Sequence, residues 1–381
     1  MNDKTDQRLN RVSRRDFLNA TLLGAAGIPL ISEGRAEEKI IQGFDQTDPG
    51  KVQAKPWQPI SDRKIRVGIV GFGACQFGAK FGFQDHPNVE VVAVSDLFPD
   101  RCAGLAKACR CEKTYPSLEE MLKDDAIDAV FLATDAPGHA RHAILSMEHG
   151  KHVASAVPAV FGSLEDADRL HDAVRRTGMT YMMFETSAYH ADCHAMRMAY
   201  RAGAFGKLVY SEGQYYHYFG KPLDSYKNWR LGLPPMWYPT HSTAYYVAVT
   251  GGSFTHVSCQ GFRGGIKEFQ ADANPYKNPF DSEIALFRTS EGGASRMSVC
   301  WGMRGSHGEY GHVRGERGQM EGITFEPAAE LKKLAADLDK PQLPPGMDPG
   351  GHGGSHGYLT DEFISALLQN RKPLVDIACA L

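Results

Sequence analysis

Short apolar runs of four to seven residues alternate with amphipathic segments along the first half of the chain. Such runs predict strands that are buried on both faces, and the segments between them predict helices. The predicted strands are residues 65–70, 89–95, 129–133, 152–155 and 180–184, and the predicted helices are residues 74–84, 117–123, 142–148 and 164–177. Strands that alternate with helices in this way predict a parallel sheet covered by helices.

The pattern changes after about Thr186. The later runs alternate between apolar and polar positions, which is typical of strands with one solvated face. They predict strands at residues 208–218, 254–262, 282–288, 295–301 and 318–325, helices at residues 192–202, 242–249 and 361–368, and a Pro- and Gly-rich loop at residues 341–357. The predicted fold class is therefore α/β, with an N-terminal Rossmann dinucleotide-binding domain (residues 63–185) and a C-terminal α+β domain with a mostly antiparallel open sheet (residues 186–381). Residues 376–381 have the pattern of a helix that is beginning, so we expect the natural chain to continue.

A basic segment followed by an apolar one opens the chain. Ser13-Arg14-Arg15-Asp16-Phe17-Leu18 precedes an uncharged stretch at residues 19–32, and Gly34-Arg35-Ala36 offers small residues for cleavage. This order indicates a signal peptide at residues 1–36, and the paired arginines indicate the twin-arginine route; an amphipathic N-terminal helix is the alternative. We expect an exported protein of the periplasm or another extracytoplasmic space, with an irregular arm at residues 37–62. No transmembrane span is predicted, because no apolar run approaches the ~20 residues that a span requires.

A glycine turn follows the first predicted strand. Gly71-Phe72-Gly73 comes directly after residue 70, and Asp96 follows the second strand. Strand, glycine turn, helix, strand and acid in this order predict a dinucleotide-binding unit. Gly71 permits the tight turn, Gly73 lets a pyrophosphate approach the backbone, and the helix start is expected to offer N–H groups to the phosphates. Gln76 stands where the pattern usually has a third glycine, and the next glycine comes two residues later.

The acid after the second strand decides which cofactor is predicted. A carboxylate at Asp96 would accept hydrogen bonds from ribose hydroxyls and would repel a 2′-phosphate, so NAD is predicted. Arg101 lies near enough in the sequence to keep NADP as the less favoured alternative.

Three loops follow the carboxyl ends of later strands, at residues 134–139, 156–160 and 185–189. Ligands of open α/β sheets bind at this edge, so we expect the loops to ring one crevice. The middle loop is unusual for such a site, because residues 155–161 contain no ionisable side chain. The residues predicted to bind the cofactor are Gly71, Phe72, Gly73, Gln76, Asp96, Thr134, Pro137, His139, Val157, Pro158 and Thr186.

The densest polar group of the second half is Tyr238-Pro239-Thr240-His241. His241 is the predicted general base, because imidazole titrates near neutral pH and a helix start would favour its neutral form. A capping or buried structural histidine is the alternative. Tyr189 or Tyr238 is the predicted auxiliary proton donor.

Tyr215, Arg230, Tyr238 and His241 are the predicted substrate contacts. Tyr215 belongs to a strand whose alternating tyrosines suit a sugar platform, although a packing face has the same pattern. Arg230 could hold a substrate hydroxyl or carboxylate, or could form a structural salt bridge.

Composition narrows the function classes. The chain has 381 residues, 42% hydrophobic and 23% charged, with a net charge of −3, which is typical of a soluble globular protein and indicates no nucleic-acid partner. The eight cysteines form neither a redox pair nor a zinc pattern. His352 and His356 lie four residues apart, but a glycine-rich loop does not fix them on one face, so we predict no metal site and interpret the loop as substrate-lining or as plain surface.

The chain resembles a known family in the order of these motifs. The strand with Gly71-Phe72-Gly73, the acid Asp96, the loop with His139 and the segment Gly150-Lys151-His152-Val153 are similar to the glucose–fructose oxidoreductase and inositol dehydrogenase family (Gfo/Idh/MocA). The resemblance covers roughly residues 63–381 and implies NAD-dependent hydride transfer from a sugar, sugar derivative or cyclitol. Most members have Glu-Lys-Pro where the strand of residues 152–155 ends, with the lysine beside the nicotinamide. Here the triplet is Ala156-Val157-Pro158, so no ammonium is available at that point.

One branch of that family is closer in its motifs, the NAD-dependent glycosidases of the α-N-acetylgalactosaminidase kind. The chain shares with it Val157-Pro158, Trp229-Arg230, Tyr238-Pro239-Thr240-His241 and a similarly placed Tyr215, whereas the glutamate of that branch is Ala156 here. The resemblance to this branch implies an alternative, a redox-neutral glycoside hydrolase that oxidises C3, eliminates, adds water and reduces the ketone again. A third reading is a binding protein that retains NAD without catalysis. The open sheet also predicts a homo-oligomer, a dimer or a tetramer.

Overall fold

The computed structural model describes residues 56–218, 220–304, 308–329 and 338–381. The predicted signal peptide lies outside these ranges, as does most of the predicted arm. Within them, no helix combines the length and the apolar character that crossing a bilayer requires.

A six-stranded parallel sheet forms the core of the first half. Its strands are β1 (Ile65–Val70), β2 (Val89–Ser95), β3 (Thr114–Tyr115), β4 (Ala129–Leu132), β5 (His152–Ser155) and β6 (Tyr181–Met183). They lie side by side in the order β3-β2-β1-β4-β5-β6. The prediction of a parallel sheet is confirmed. The strand order reverses between β1 and β4, and this reversal opens a crevice at the carboxyl edge of the sheet.

Helices cover both faces of this sheet. They are α1 (Phe77–Lys80), α2 (Pro99–Cys109), α3 (Leu118–Met121), α4 (His139–Glu148) and α5 (Leu164–Thr177). The predicted helix at residues 74–84 is wrong in its extent, because two left-handed residues, Gln76 (φ 52°) and Gly82 (φ 74°), bound a helix of only four residues. The helix that was expected to bind the phosphates through its N-terminus is therefore too short for its dipole to contribute much to phosphate binding.

The second half forms a seven-stranded sheet in the order β13-β12-β11-β7-β10-β9-β8. The strands are β7 (Leu208–Tyr216), β8 (Phe254–Phe262), β9 (Ser282–Thr289), β10 (Ala294–Cys300), β11 (Glu309–Gly315), β12 (Gly318–Glu321) and β13 (Thr324–Pro327). Within the described part of this second sheet, only the pairing of β7 with β10 is parallel, which confirms a mostly antiparallel sheet. The single strand predicted at residues 318–325 is a hairpin that turns at Gly322 (φ 53°), and β11 was not predicted.

Helix α7 (Thr240–Thr250) lies directly on the second sheet. A Cβ atom at Gly213 would overlap the backbone of Ser242, and one at Gly311 would overlap the ring of Tyr245. Because both positions lack a side chain, the helix approaches strands β7 and β11 closely. This approach brings His241, in the first turn of α7, against Tyr215 of β7.

The remaining helices are α6 (Ala191–Arg201), α8 (Gly351–Gly354), α9 (His356–Gln369) and α10 (Ile377–Ala380). Helix α9 is fixed to the first half of the chain, since Thr360 donates a hydrogen bond to the carbonyl of Phe81 (2.7 Å) and His86 lies 3.2 Å from Asp361. The predicted loop at residues 341–357 is partly helical. His352 and His356 within it are buried, so the interpretation of that loop as plain surface is wrong.

Candidate active site

The glycine turn forms one wall of a cavity of about 690 Å³ at the carboxyl edge of the parallel sheet. A Cβ atom at Gly71 would overlap the carbonyl of Ala133, so this residue must be glycine for the turn to pass β4. A Cβ atom at Gly73 would meet nothing within 4 Å, so the backbone there is open to a ligand. Gly78 packs against the carbonyl of Gly71 and against Leu105, which is the packing role of the third glycine that Gln76 does not fill.

Asp96 closes the glycine turn. One carboxylate oxygen accepts a hydrogen bond from the backbone N–H of Phe72 (2.7 Å), and the other accepts one from that of Phe98 (2.9 Å). The carboxylate is therefore held at the wall of the cavity, which Arg101 also lines. Each oxygen keeps a further lone pair, which can accept a ribose hydroxyl.

His139 connects two of the predicted loops. Its Nδ1 lies 2.8 Å from the carbonyl of Pro158, and its Nε2 lies 3.2 Å from the carbonyl of Thr134. Burial lowers the pKa of His139, so the ring is neutral and donates a single N–H. The two loops are thus joined at the base of the crevice, where the cis Val157–Pro158 bond lies.

A buried histidine–carboxylate pair stands beside this crevice. His241 Nδ1 lies 2.7 Å from Glu185 Oε1, and both side chains are almost completely buried. The N–H of Ser187 donates to the same carboxylate oxygen (2.9 Å), and Thr186 Oγ1 lies 3.3 Å from His241 Nδ1. Since Glu185 follows strand β6, the sheet edge itself fixes the orientation of the imidazole.

A second carboxylate lies behind the pair. Glu309 Oε2, at the start of β11, is 3.8 Å from His241 Nδ1 and 3.2 Å from His190 Nε2. Ser187 Oγ donates a hydrogen bond of 2.5 Å to the same oxygen. Ser187 therefore joins the two carboxylates, one through its backbone N–H and the other through its hydroxyl.

Electrostatics make His241 a strong base. Burial alone would lower the pKa of His241, but the negative charges of Glu185 and Glu309 outweigh it and raise the pKa to about 9. The expectation that the helix start would favour neutral His241 is wrong, because two buried carboxylates exceed the effect of one helix end. In return, although burial opposes it, the imidazolium holds the pKa of Glu185 below its ordinary value.

Aromatic rings surround the other side of His241. The rings of Tyr215 and Tyr238 lie 4.5 Å and 5.7 Å from the imidazole, and Tyr238 stacks on Trp229 at 6.5 Å. Arg230 covers Trp229 at 4.2 Å and also lines the cavity, so it connects the crevice with this group. Burial raises the pKa of both tyrosines, which stay protonated at neutral pH and can donate hydrogen bonds.

The predicted site residues thus fall into two adjacent groups. Gly71, Phe72, Gly73, Gln76, Asp96, Thr134 and Arg230 line the cavity, whereas Thr186, Tyr215, Tyr238 and His241 form the buried cluster. Pro137 lies in the turn Ala136–Gly138 before α4, and His139, Val157 and Pro158 lie in the joined loops.

Tyr189 does not fit the role of auxiliary proton donor to this crevice. Its ring lies 5.5 Å from the guanidinium of Arg197 and lines a different cavity of about 700 Å³. The backbone turns away after Ser187, because Thr186–Tyr189 is a single 3-10 turn. Tyr238 is the tyrosine that contacts His241.

Sequence reasoning missed Glu185, Ser187 and Glu309. Glu185 could have been found, since it follows a parallel strand at the edge where ligands bind. Glu309 offered no comparable signal, because it begins a strand that glycines interrupt.

Glu185, His241 and Glu309 also have the composition of a cation site. Their donor atoms lie within 4.8 Å of one another. However, His241 forms a short hydrogen bond with Glu185, and Ser187 donates one hydrogen bond to each carboxylate. These bonds explain the cluster as a network that shares a proton. The absence of a metal stays a prediction.

The residues of the cavity fit a dinucleotide. The open backbone at Gly73 suits a pyrophosphate, and the acid held at Asp96 suits a ribose. The cavity extends from these residues to Arg230, beside the histidine cluster. One end therefore suits the adenosine half of NAD, and the other end reaches Trp229, which stacks on Tyr238 of the histidine cluster.

Comparison with known proteins agrees with this assignment. Residues 65–185 match the family model GFO_IDH_MocA, described as an oxidoreductase family with an NAD-binding Rossmann fold. A glycosyl hydrolase family 109 protein of Porphyromonas gingivalis is 32% identical over 178 residues, which cover 44% of this chain and 38% of that protein. The first relatives are thus matched over well under half of their length. A glycosyl hydrolase family 109 protein of Shewanella pealeana is 26% identical over 96% of this chain and 89% of its own length.

Solved structures extend the similarity to the second sheet. The WlbA dehydrogenase of Bordetella pertussis, crystallised with NADH and UDP-GlcNAcA, has a TM-score of 0.65 and 20% identity. The alignment covers 84% of this chain and 93% of that one, so the two proteins share both sheets of the fold.

Proposed function

Because residues 65–185 form an NAD-binding domain of the Gfo/Idh/MocA oxidoreductase family, we propose that this protein oxidises a hydroxyl of a sugar, sugar derivative or cyclitol. The observation that carries the proposal is the buried Glu185–His241 pair, which lies beside the cofactor crevice and faces two tyrosines. A base, hydrogen-bond donors and an NAD-binding fold are the components that alcohol oxidation requires.

The bound NAD supplies a hydride acceptor, and the chain supplies the proton chemistry. Glu185 accepts the Nδ1–H of His241, which leaves Nε2 of the imidazole to exchange a proton with the substrate hydroxyl. Glu185 and Glu309 stabilise the imidazolium that forms, which is the physical meaning of the raised pKa. The arrangement resembles the carboxylate–histidine pair of hydrolytic triads in its division of roles.

The remaining polar groups orient the substrate. The rings of Tyr215 and Tyr238 lie next to His241, and Arg230 lines the cavity beside this group. Flat aromatic surfaces with polar edges suit the alternating C–H and hydroxyl groups of a pyranose. Ala156 and Val157 are buried and add no charge to the loop after β5.

A second function is favoured by a specific observation. The Shewanella relative that aligns along nearly the whole chain is named a glycosyl hydrolase family 109 protein. Redox-neutral glycoside cleavage would use the same hydride transfer and the same base, and it would return the hydride before product leaves. Under this alternative the enzyme needs no supply of fresh NAD.

One assay on purified protein separates the candidates. We expect bound NAD to be released on denaturation and NADH to accumulate when sugars or cyclitols and excess NAD are supplied. Cleavage of aryl glycosides without net NADH would establish the glycosidase instead. If neither reaction occurs although NAD is bound, the protein is a non-catalytic NAD-binding protein and the proposal is wrong.

We also propose export by the twin-arginine route and assembly into a homo-oligomer. The sequence of residues 13–36 supports the first. The second is supported by the exposed side chains of Val257 and Phe262 on the edge strand β8 and of Leu286 on its neighbour β9. Light scattering of the purified protein measures the oligomeric state, and a monomeric mass would contradict it.

A further inference from the structure

A chain of three hydrogen-bonded side chains lies along the wall of the cofactor cavity. Arg141 Nη2 is 2.6 Å from His142 Nε2, and His142 Nδ1 is 2.9 Å from the hydroxyl oxygen of Thr134. All three residues line the cavity. Thr134 was predicted to bind the cofactor, whereas no role was predicted for Arg141 or His142.

The imidazole of His142 is held by the turn that precedes α4. A Cβ atom at Gly138 would lie 2.7 Å from the His142 ring, so the ring packs directly on the backbone of that turn. At the outer end of the chain, the exposed guanidinium of Arg141 lies 3.6 Å from the carboxylate of Glu119. The chain therefore leads from an exposed positive charge, through a buried ring, to the hydroxyl of Thr134.

The donors and acceptors along this chain have a fixed direction. A guanidinium only donates hydrogen bonds, so His142 Nε2 accepts from Arg141 and carries no proton. Burial first, and then the charge of Arg141, lower the pKa of His142 to about 4, so the ring is neutral at physiological pH. A neutral imidazole has a single N–H, which must then be at Nδ1. His142 therefore donates to the Thr134 hydroxyl oxygen.

The Thr134 hydroxyl accepts this bond and keeps its own hydrogen for another acceptor. Within the part of the chain that the structure describes, His142 is the one hydrogen-bond partner of this hydroxyl. Because Thr134 lines the cavity, a ligand bound there can be the acceptor.

The position of Thr134 indicates which part of a dinucleotide it would meet. A Cβ atom at Gly71 would lie 3.2 Å from the backbone nitrogen of Thr134, so Thr134 lies against the glycine turn. The open backbone at Gly73 belongs to the same turn and suits a pyrophosphate. Pyrophosphate oxygens accept hydrogen bonds and never donate them, so they match a hydroxyl whose hydrogen is available.

A pyrophosphate at this turn needs donors besides the first helix. In dinucleotide-binding folds the helix after the glycine turn supplies N–H groups and a favourable dipole. Helix α1 has four residues and therefore contributes little. The chain that ends at Thr134 brings a donor to the same turn, and Arg141 supports that donor with a permanent positive charge.

We propose that Arg141 and His142 are positioning residues for the cofactor: Arg141 selects the tautomer of His142, and His142 compels Thr134 to donate its hydroxyl hydrogen to the pyrophosphate of NAD. The inference goes beyond the proposed function, because it concerns how the cofactor is held and not which reaction follows. Its test therefore needs no substrate, and a failure to oxidise any sugar would leave the result unaffected.

The rate of NAD dissociation tests the donor. Protein loaded with radiolabelled NAD is mixed with excess unlabelled NAD, and the loss of bound label is followed with time. We expect Thr134→Val to release NAD about 10–100-fold faster than wild type, because a hydrogen bond to a charged group is lost. Thr134→Ser retains the hydroxyl and should restore slow release. Thermal unfolding of each variant verifies that it is folded.

Arg141→Met tests the positioning role. Without the guanidinium, the proton of His142 can move to Nε2, and Thr134 then donates to Nδ1 instead of to NAD. We expect release to be about 2–10-fold faster. Histidine ¹⁵N spectra should show an unprotonated His142 Nε2 in the wild type and a protonated one in part of the Arg141→Met molecules. Arg141→Lys still only donates, so it should restore both the tautomer and slow release.

Arg176→Met is the matched control for the loss of an arginine. Arg176 is similarly exposed, pairs with Glu148 at 2.6 Å and lies outside the set of residues that line the cavity. We expect it to release NAD at the wild-type rate.

A double variant separates positioning from a direct attraction between Arg141 and the phosphates. If Arg141 acts through Thr134, Arg141→Met should speed release little further once Thr134→Val has removed the hydroxyl. A direct attraction would speed release equally in both backgrounds, and this result would overturn the inference. So would wild-type release by folded Thr134→Val, a protonated Nε2 of His142 in the wild type, or a wild-type protein that binds no NAD.

Discussion

Two parts of the candidate site differ in where they carry charge: the loop after β5 (the apolar side) and the histidine–carboxylate cluster (the charged side). The loop contributes Ala156, Val157 and Ala159, all buried and apolar, and the carbonyl of Pro158 lies 2.8 Å from His139 Nδ1. The cluster contains Glu185, His241 and Glu309, whose ionisable side chains are all deeply buried. Under the proposed function, the contrast assigns the proton chemistry to the cluster. Burial strengthens the interactions within it, because charges interact more strongly where water is excluded.

The largest effect is expected from the charged side. His241→Asn keeps a donor for Glu185 and removes the nitrogen that exchanges protons, so we expect kcat/KM to fall by about 10²–10⁴-fold. Bound NAD should be retained. Thr243→Ser, one turn away on the same helix, is the control and should behave as wild type. Turnover by His241→Asn close to the wild-type rate would show that the base lies elsewhere.

Glu185→Gln should move the pH profile rather than abolish activity. Without the carboxylate, the pKa of His241 falls, and the acidic limb of kcat/KM should shift by about 1–3 pH units to lower pH. Glu283→Gln replaces a half-buried carboxyl that accepts a hydrogen bond from the backbone of Met236, and it should leave the acidic limb of the pH profile unchanged. An unchanged limb in Glu185→Gln would mean that the pair does not control the base.

The same pair has a consequence for stability. Because the pKa of His241 is raised from 6.5 to about 9 in the folded protein, the histidine contributes its stabilisation fully below pH 6.5. That contribution is lost as the pH rises through 9.

A smaller effect is expected on the apolar side. Val157 is 7% exposed and packs in the core, so Val157→Lys would bury an ammonium and should lower the free energy of unfolding by about 0.5–3 kcal/mol. Urea unfolding measures the difference, with Val157→Ile as the control. A lysine variant that is as stable as wild type and more active would mean that this side can also carry the proton chemistry.

No effect is expected from removing divalent ions. If Glu185, His241 and Glu309 hold a proton rather than a metal, dialysis against a chelator should leave turnover unchanged. Metal analysis of the dialysed protein completes the test. If dialysis abolishes activity and a divalent ion restores it, the cluster is a cation-binding site instead.

The local pattern of apolar and polar residues predicted the structure correctly where residues that are close in sequence are also close in space. Strands β1 and β2, the turn at Gly71 and the acid at Asp96 follow from apolar runs and glycines. The Glu185–His241 pair could not be read in this way, because the packing of α7 against β7 and against the turn after β6 brings the two side chains together. The burial of His352 was missed for a related reason: its glycine-rich loop has the composition of surface, but it is buried beside Phe77 and bonded through Gly354 to Lys340.

The bonding of Asp96 has a practical consequence for protein engineering. A designer who wanted the enzyme to accept a 2′-phosphorylated cofactor would first replace this acid. Here the same carboxylate fastens the backbone at Phe72 and Phe98, so its removal would loosen the turn on which either cofactor depends. A successful redesign would have to supply new acceptors for those two N–H groups, and also a cationic side chain that binds the 2′-phosphate.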